Sequence, residues 1–110
     1  MTFDEYQKLA LTTAHSTYEP LMQQTIWAMG VAGEAGEVIE KWKKIVAYKE
    51  GVVTDDERTE LGKELADVVW YIAVMADSLG MSFSDIMSAN IQKLADRKKR
   101  DVIKGSGDNR

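Results

Sequence analysis

A chain of 110 residues fits one domain and leaves no room for a second with its own core, and at 45% hydrophobic and 29% charged it has the composition of a folding chain rather than a disordered one. A net charge of −4, from 14 Lys+Arg against 18 Asp+Glu, argues against general coating of nucleic acid by counterion release. The lack of cysteine excludes a disulfide framework and zinc–thiolate or Fe–S sites; with no basic-then-apolar leader after Met1, and no apolar stretch near the roughly 20 residues of a membrane helix, the chain is expected to be soluble and cytoplasmic, with neither polymeric nucleic acid nor membrane as partner.

No run alternates apolar and polar residues between turn signals, so the reading is all-α. A first helix is expected from about Phe3 to Ala14, with Thr2 as N-cap. A second begins near Pro20, a favoured first-turn residue, and its apolar pattern runs to about Lys49. Gly30, Gly33 and Gly36 interrupt it, each at a cost of about 1 kcal/mol relative to Ala, and predict a kink or split near Gly30.

Gly51 marks the next break. Thr54-Asp55-Asp56-Glu57 has the form of a capping box, which predicts a third helix from about Asp55 to Leu79, stopped by Gly80. Ser82-Phe83-Ser84-Asp85 opens a fourth, which carries Met87, Ile91 and Leu94 and ends in the basic run Arg97-Lys98-Lys99-Arg100, well placed at a helix C-terminus. Residues 1–104 form the single domain, and the Gly-rich tail 105–110 is a loop.

The apolar seams fix where the charged residues fall. Val31, Ala35, Val38, Trp42 and Ile45 form one seam, and Leu61, Leu65, Val68, Ile72, Met75 and Leu79 form the other, so Trp42 is expected in the core. Glu34 and Glu37 sit roughly 60° and 120° to one side of the first seam; Glu64 and Asp67 hold the same offsets from the second. Helices joined by the short connection at Gly51 run antiparallel, and equal offsets then fall on the same side. Glu37 lies about 12 residues before the turn and Glu64 about 9 after it, a mismatch of roughly 5 Å. Four carboxylates are therefore expected at one spot.

Four such groups beside a core repel one another unless a cation sits among them. An all-oxygen set suits a hard divalent ion such as Mg²⁺, with Mn²⁺ as a substitute. The single histidine, His15, disfavours zinc and copper, and neither acidic pair has the Glu-x-x-His of a di-iron site. Glu40 and Glu60 have lysine neighbours and are read as ordinary surface pairs. In the fourth helix Asn90, Lys93 and Arg97 form a row at the same flanking offset, either a grip on polyphosphate oxygens or simply the solvated end of a helix. Tyr71, one turn beyond Asp67, is placed to contact a ligand.

Gly33-Glu34-Ala35-Gly36-Glu37, followed by Lys63-Glu64-Leu65-Ala66-Asp67-Val68-Val69-Trp70-Tyr71-Ile72, resembles the MazG-like all-α nucleoside triphosphate pyrophosphohydrolases, whose motif is Glu-x-x-Glu, a spacer, then Glu-x-x-Asp. The resemblance continues through Asn90-Ile91-Gln92-Lys93-Leu94 and Arg97 to the Gly-Ser-Gly-Asp-Asn-Arg tail of short single-domain members. It implies an antiparallel four-helix-type bundle completed by oligomerisation, as a homodimer or homotetramer. It also implies hydrolysis of a nucleoside triphosphate to the monophosphate and pyrophosphate, with Mg²⁺ on Glu34, Glu37, Glu64 and Asp67. Glu34 or Glu37 would act on the attacking water, Tyr71 would help line an aromatic base pocket, and Asn90, Lys93 and Arg97 would contact sugar or phosphate. Two other readings stand beside it: a non-catalytic helical module that binds a nucleotide or a protein, and a hydrolase of another pyrophosphate-linked compound.

Overall fold

Local chemistry at the helix ends sets the architecture of the computed structural model, which describes all of residues 1–110. Helix α1 (Phe3–Leu11) and helix α3 (Asp55–Ser78) each begin with a complete capping box, Thr2 with Glu5 and Thr54 with Glu57. Helix α2 (Pro20–Lys49) starts on proline, with the Glu19 carboxylate accepting from the amides of Leu21 and Met22. Helix α4 (Phe83–Lys99) is capped by the Ser82 hydroxyl, which accepts from the Asp85 amide. There are four helices and no strand, and no single helix is long and apolar enough to cross a membrane.

Two helices differ from the sequence expectation. The first helix stops at Leu11, three residues short of Ala14. The second neither kinks nor splits at Gly30; α2 is continuous over 30 residues. Its glycines cost helix propensity, but α3 lies along it and supplies the packing that offsets that cost.

The α2–α3 pair is antiparallel, as the partners along it show. Lys49 meets Glu57 near the turn, Lys41 meets Glu64 at 3.3 Å, and Gln24 reaches the Ser78 carbonyl at 2.9 Å at the far end. The reversal is made by Glu50 and Gly51, both with positive φ (54° and 79°), whose amides both donate to the Ile45 carbonyl.

At the other end α1 and α4 pack on α3, and neither meets α2. The core is small: Ala10, Ala73, Val74 and Phe83, flanked by Trp27, Trp70, Ile72 and others. Its polar hub is Gln7, itself buried. The Gln7 side-chain nitrogen donates to the carbonyls of Ala73 (3.0 Å) and Met81 (3.1 Å), and its oxygen accepts from the Phe83 amide (3.1 Å). Asp4 makes a second tie, accepting from the Ser82 hydroxyl and the Ser84 amide, each at 2.9 Å.

Beyond this corner the chain is open. Helix α4 turns away from α3 by 106°. The radius of gyration is 16.9 Å, against about 13 Å for a compact chain of this length. Only nine of 110 residues are buried, while nineteen large apolar side chains are exposed, Ile39, Leu65 and Ile91 among them. Trp42, expected in the core, is 46% exposed. It sits on the stretch of α2 that no third helix covers, so a seam of two helices cannot enclose an indole there.

Candidate functional site

The register of α2 against α3 brings one oxygen each of Glu34, Glu64 and Asp67 within 4.8 Å of one another. Glu34 and Glu64 are half-buried and Asp67 is exposed, so the group opens to solvent on one side. The four-carboxylate expectation is met by three. Glu37 is exposed and lies outside the group, although Asp67, at the same offset from its own seam, lies within it.

Charge crowding is visible on Glu34. Partial burial first, then the charges of Asp67, Glu64 and Glu37, hold its carboxyl above the ordinary carboxylate value of 4.5. Glu37 is therefore near enough to be felt electrostatically. One cation is already at hand, since Lys41 pairs with Glu64 at 3.3 Å. The antiparallel register sets position 41 opposite position 64.

Three carboxylate oxygens, no sulfur and no imidazole match a hard cation that takes oxygen ligands and keeps waters or phosphate oxygens in its remaining positions. The raised Glu34 carboxyl points the same way: a bound cation would relieve the repulsion that now opposes its ionisation. Glu40 and Glu60 pair with Lys43 (2.7 Å) and Lys63 (2.6 Å), as expected of surface residues.

Next to the carboxylates, one turn along α3, the Tyr71 ring crosses α2 at Gly30, where any β-carbon would collide with it. A side-chain-free position here was legible only as a possible kink; its use is close approach of a ring to a backbone. Tyr71 stacks edge-on against Trp70, with ring centroids 5.0 Å apart, and the Trp70 indole donates to the Thr13 hydroxyl at 3.0 Å. Tyr71, Trp70 and Trp27, with His15, Tyr18 and Gln23, line a cleft of ≈ 500 Å³. His15 lies in the α1–α2 loop.

The row Asn90, Lys93 and Arg97 lies on α4. Asn90 is exposed on α4. Lys93 and Arg97 both contact Asp108 of the C-terminal tail. Because α4 swings off α3 and does not meet α2, one chain does not bring these residues to its own carboxylates.

Comparison with known proteins follows the same lines. A family model described as the MazG nucleotide pyrophosphohydrolase domain matches residues 23–102. The chain is similar to the Gene 37 protein of Mycobacterium phage L5, 50% identical over 82 residues that cover 74% of this chain and 72% of that protein. It is also similar to the uncharacterized protein YvdC of Bacillus subtilis (strain 168), 36% identical over 72 residues, 58% of this chain and 65% of YvdC. No solved structure matches.

Proposed function

This chain belongs to the MazG nucleotide pyrophosphohydrolase family, and from that premise we propose that it hydrolyses a nucleoside triphosphate to the monophosphate and pyrophosphate with the help of Mg²⁺. The observation that carries the reading is the three carboxylate oxygens within 4.8 Å, contributed by two helices, one turn from an aromatic cleft.

Glu34, Glu64 and Asp67 would hold the metal, which when bound neutralises phosphate charge and lowers the pKa of a coordinated water. Glu37, outside the three-oxygen group and open to solvent, is the carboxylate left free to take a proton from the attacking water. Lys41 holds Glu64 in place and adds a positive charge beside the phosphate chain. The base lies in the cleft against Tyr71, where aromatic faces stack on any base.

Asn90, Lys93 and Arg97 reach sugar or phosphate only from the α4 of a second copy, so the working form is a homodimer or homotetramer. The exposed apolar residues of α2, α3 and α4 are the surface that a second copy would cover. A panel of ribo- and deoxynucleoside triphosphates, nucleoside diphosphates and nucleotide sugars, assayed for released pyrophosphate or monophosphate with and without Mg²⁺, tests the reading. Metal-dependent release of pyrophosphate from at least one triphosphate is expected. Binding without release would mark a non-catalytic module.

A further inference from the structure

The tail is folded, and it is folded onto two cations. After α4 the chain turns back through Gly105 and Gly107 (φ 151° and 82°). Arg110 then closes the loop, donating to the carbonyls of Val102 (3.1 Å), Ile103 (2.9 Å) and Gly107, while Arg100 donates to the Arg110 carbonyl at 2.9 Å. This closure delivers Asp108 to α4. Its carboxylate oxygen lies 2.9 Å from Lys93 Nζ and 3.1 Å from Arg97 Nη2, and the same guanidinium nitrogen also donates to the Asp108 carbonyl.

The two sides of this contact differ in how they are held. The Arg97 side chain is only 6% exposed, whereas that of Asp108 is 77% exposed. The cation is built into the fold and the anion is laid over it from outside. A buried guanidinium needs a counter-charge, and Asp108 is its only ion-pair partner. That partner leaves a donor idle: Arg97 Nε is buried and has no hydrogen-bond partner. A carboxylate reaching Nη2 alone does not use the guanidinium fork, which matches the spread oxygens of a phosphate group.

We infer that the tail is a latch: Asp108 occupies, as an internal and displaceable anion, a phosphate-binding site formed by Lys93 and Arg97, and must leave before a phosphate group can enter. The inference rests on the proposed role of Lys93 and Arg97 in holding substrate phosphate and adds its regulation by the tail; it is tested without metal or turnover, so that its failure leaves the hydrolytic reading of the carboxylates untouched. A tethered carboxylate competes at a high effective concentration and weakens the apparent affinity for a free anion by the fraction of time it is seated.

The test uses inorganic pyrophosphate in EDTA, so that no divalent ion bridges it to the acidic group. In calorimetry Asp108→Asn should bind pyrophosphate about tenfold more tightly than the wild type, and adding Lys93→Met should remove the gain. In wild-type protein, saturating pyrophosphate should move the Gly105 and Gly107 amide resonances to the positions of a free tail. Circular dichroism checks that each variant is folded; should Asp108→Asn fail to fold, the wild-type resonances decide. The latch is overturned if Asp108→Asn binds pyrophosphate no better than wild type, if the tail resonances stay put at saturation, or if neither protein binds. Repeating the titration with orthophosphate and with a triphosphate in EDTA separates a site for one phosphate group from one for a phosphate chain.

Discussion

Two glutamates three residues apart on α2 have different surroundings, and this makes them separable by experiment. Glu34 shares its space with Glu64 and Asp67, and Glu37 does not. Glu34→Gln should therefore weaken Mg²⁺ binding by roughly 10-fold or more, because a third of the charged oxygen set is lost. Glu37→Gln should leave Mg²⁺ affinity within about threefold while lowering turnover by about 10²-fold or more, the loss expected when a general base is removed. Calorimetry with Mg²⁺ beside a pyrophosphate-release assay measures both. Equal loss of metal affinity in the two variants would put Glu37 among the ligands. The motif spacing showed that these residues belong together, since offsets from a seam depend only on helix geometry. It did not show that Glu37 stands apart, because Asp67 has the same offset from its seam and is within the group, so offset alone does not separate the two.

At the level of elements, α1 is held to the α3–α4 corner by polar contacts as much as by apolar ones. Gln7 bonds to three backbone groups, one of them the Phe83 amide at the start of α4. Gln7→Leu leaves that amide unsatisfied and should cost about 2–4 kcal/mol, lowering Tm by roughly 10 °C or more in a thermal melt followed by circular dichroism. Asp4 ties the same corner. Its carboxyl is held below its ordinary value of 3.8 by bonds from the Ser84 backbone and the Ser82 hydroxyl. The folded state thus binds this proton less readily than the unfolded one, so the contribution of Asp4 is complete above pH 3.8 and is lost as pH falls through the lower folded value. Tm measured from pH 6 down to pH 2 should fall more steeply below pH 3.8 for wild type than for Asp4→Asn. The helix starts at Pro20 and Asp55 were legible because Pro and the Thr54–Glu57 pair act within one turn. Gln7 gave no such signal. Its partners are 66 to 76 residues away in the chain, and a polar residue at an apolar corner looks like any surface glutamine until the corner exists.

The whole molecule is a thin corner with a long two-helix arm, 45 × 43 × 27 Å. Trp42 was misplaced for this reason: seams predict which residues face a neighbour, and the arm has one neighbour where a bundle would have two or three. A second copy is the expected cover. Sedimentation equilibrium should give a mass of two or four chains, and Ile39→Glu, a charge set into the exposed apolar stretch of α2, should shift the distribution toward the single chain while the Asp4 and Gln7 corner stays intact. With nine residues buried, the arm has little to hold it when alone. If a second copy covers it, folding and association become one equilibrium, and its midpoint is set by how many molecules share the solution. A hundredfold dilution should lower the unfolding temperature where a self-sufficient domain would show no change, so that for this chain solvent volume acts as a denaturant.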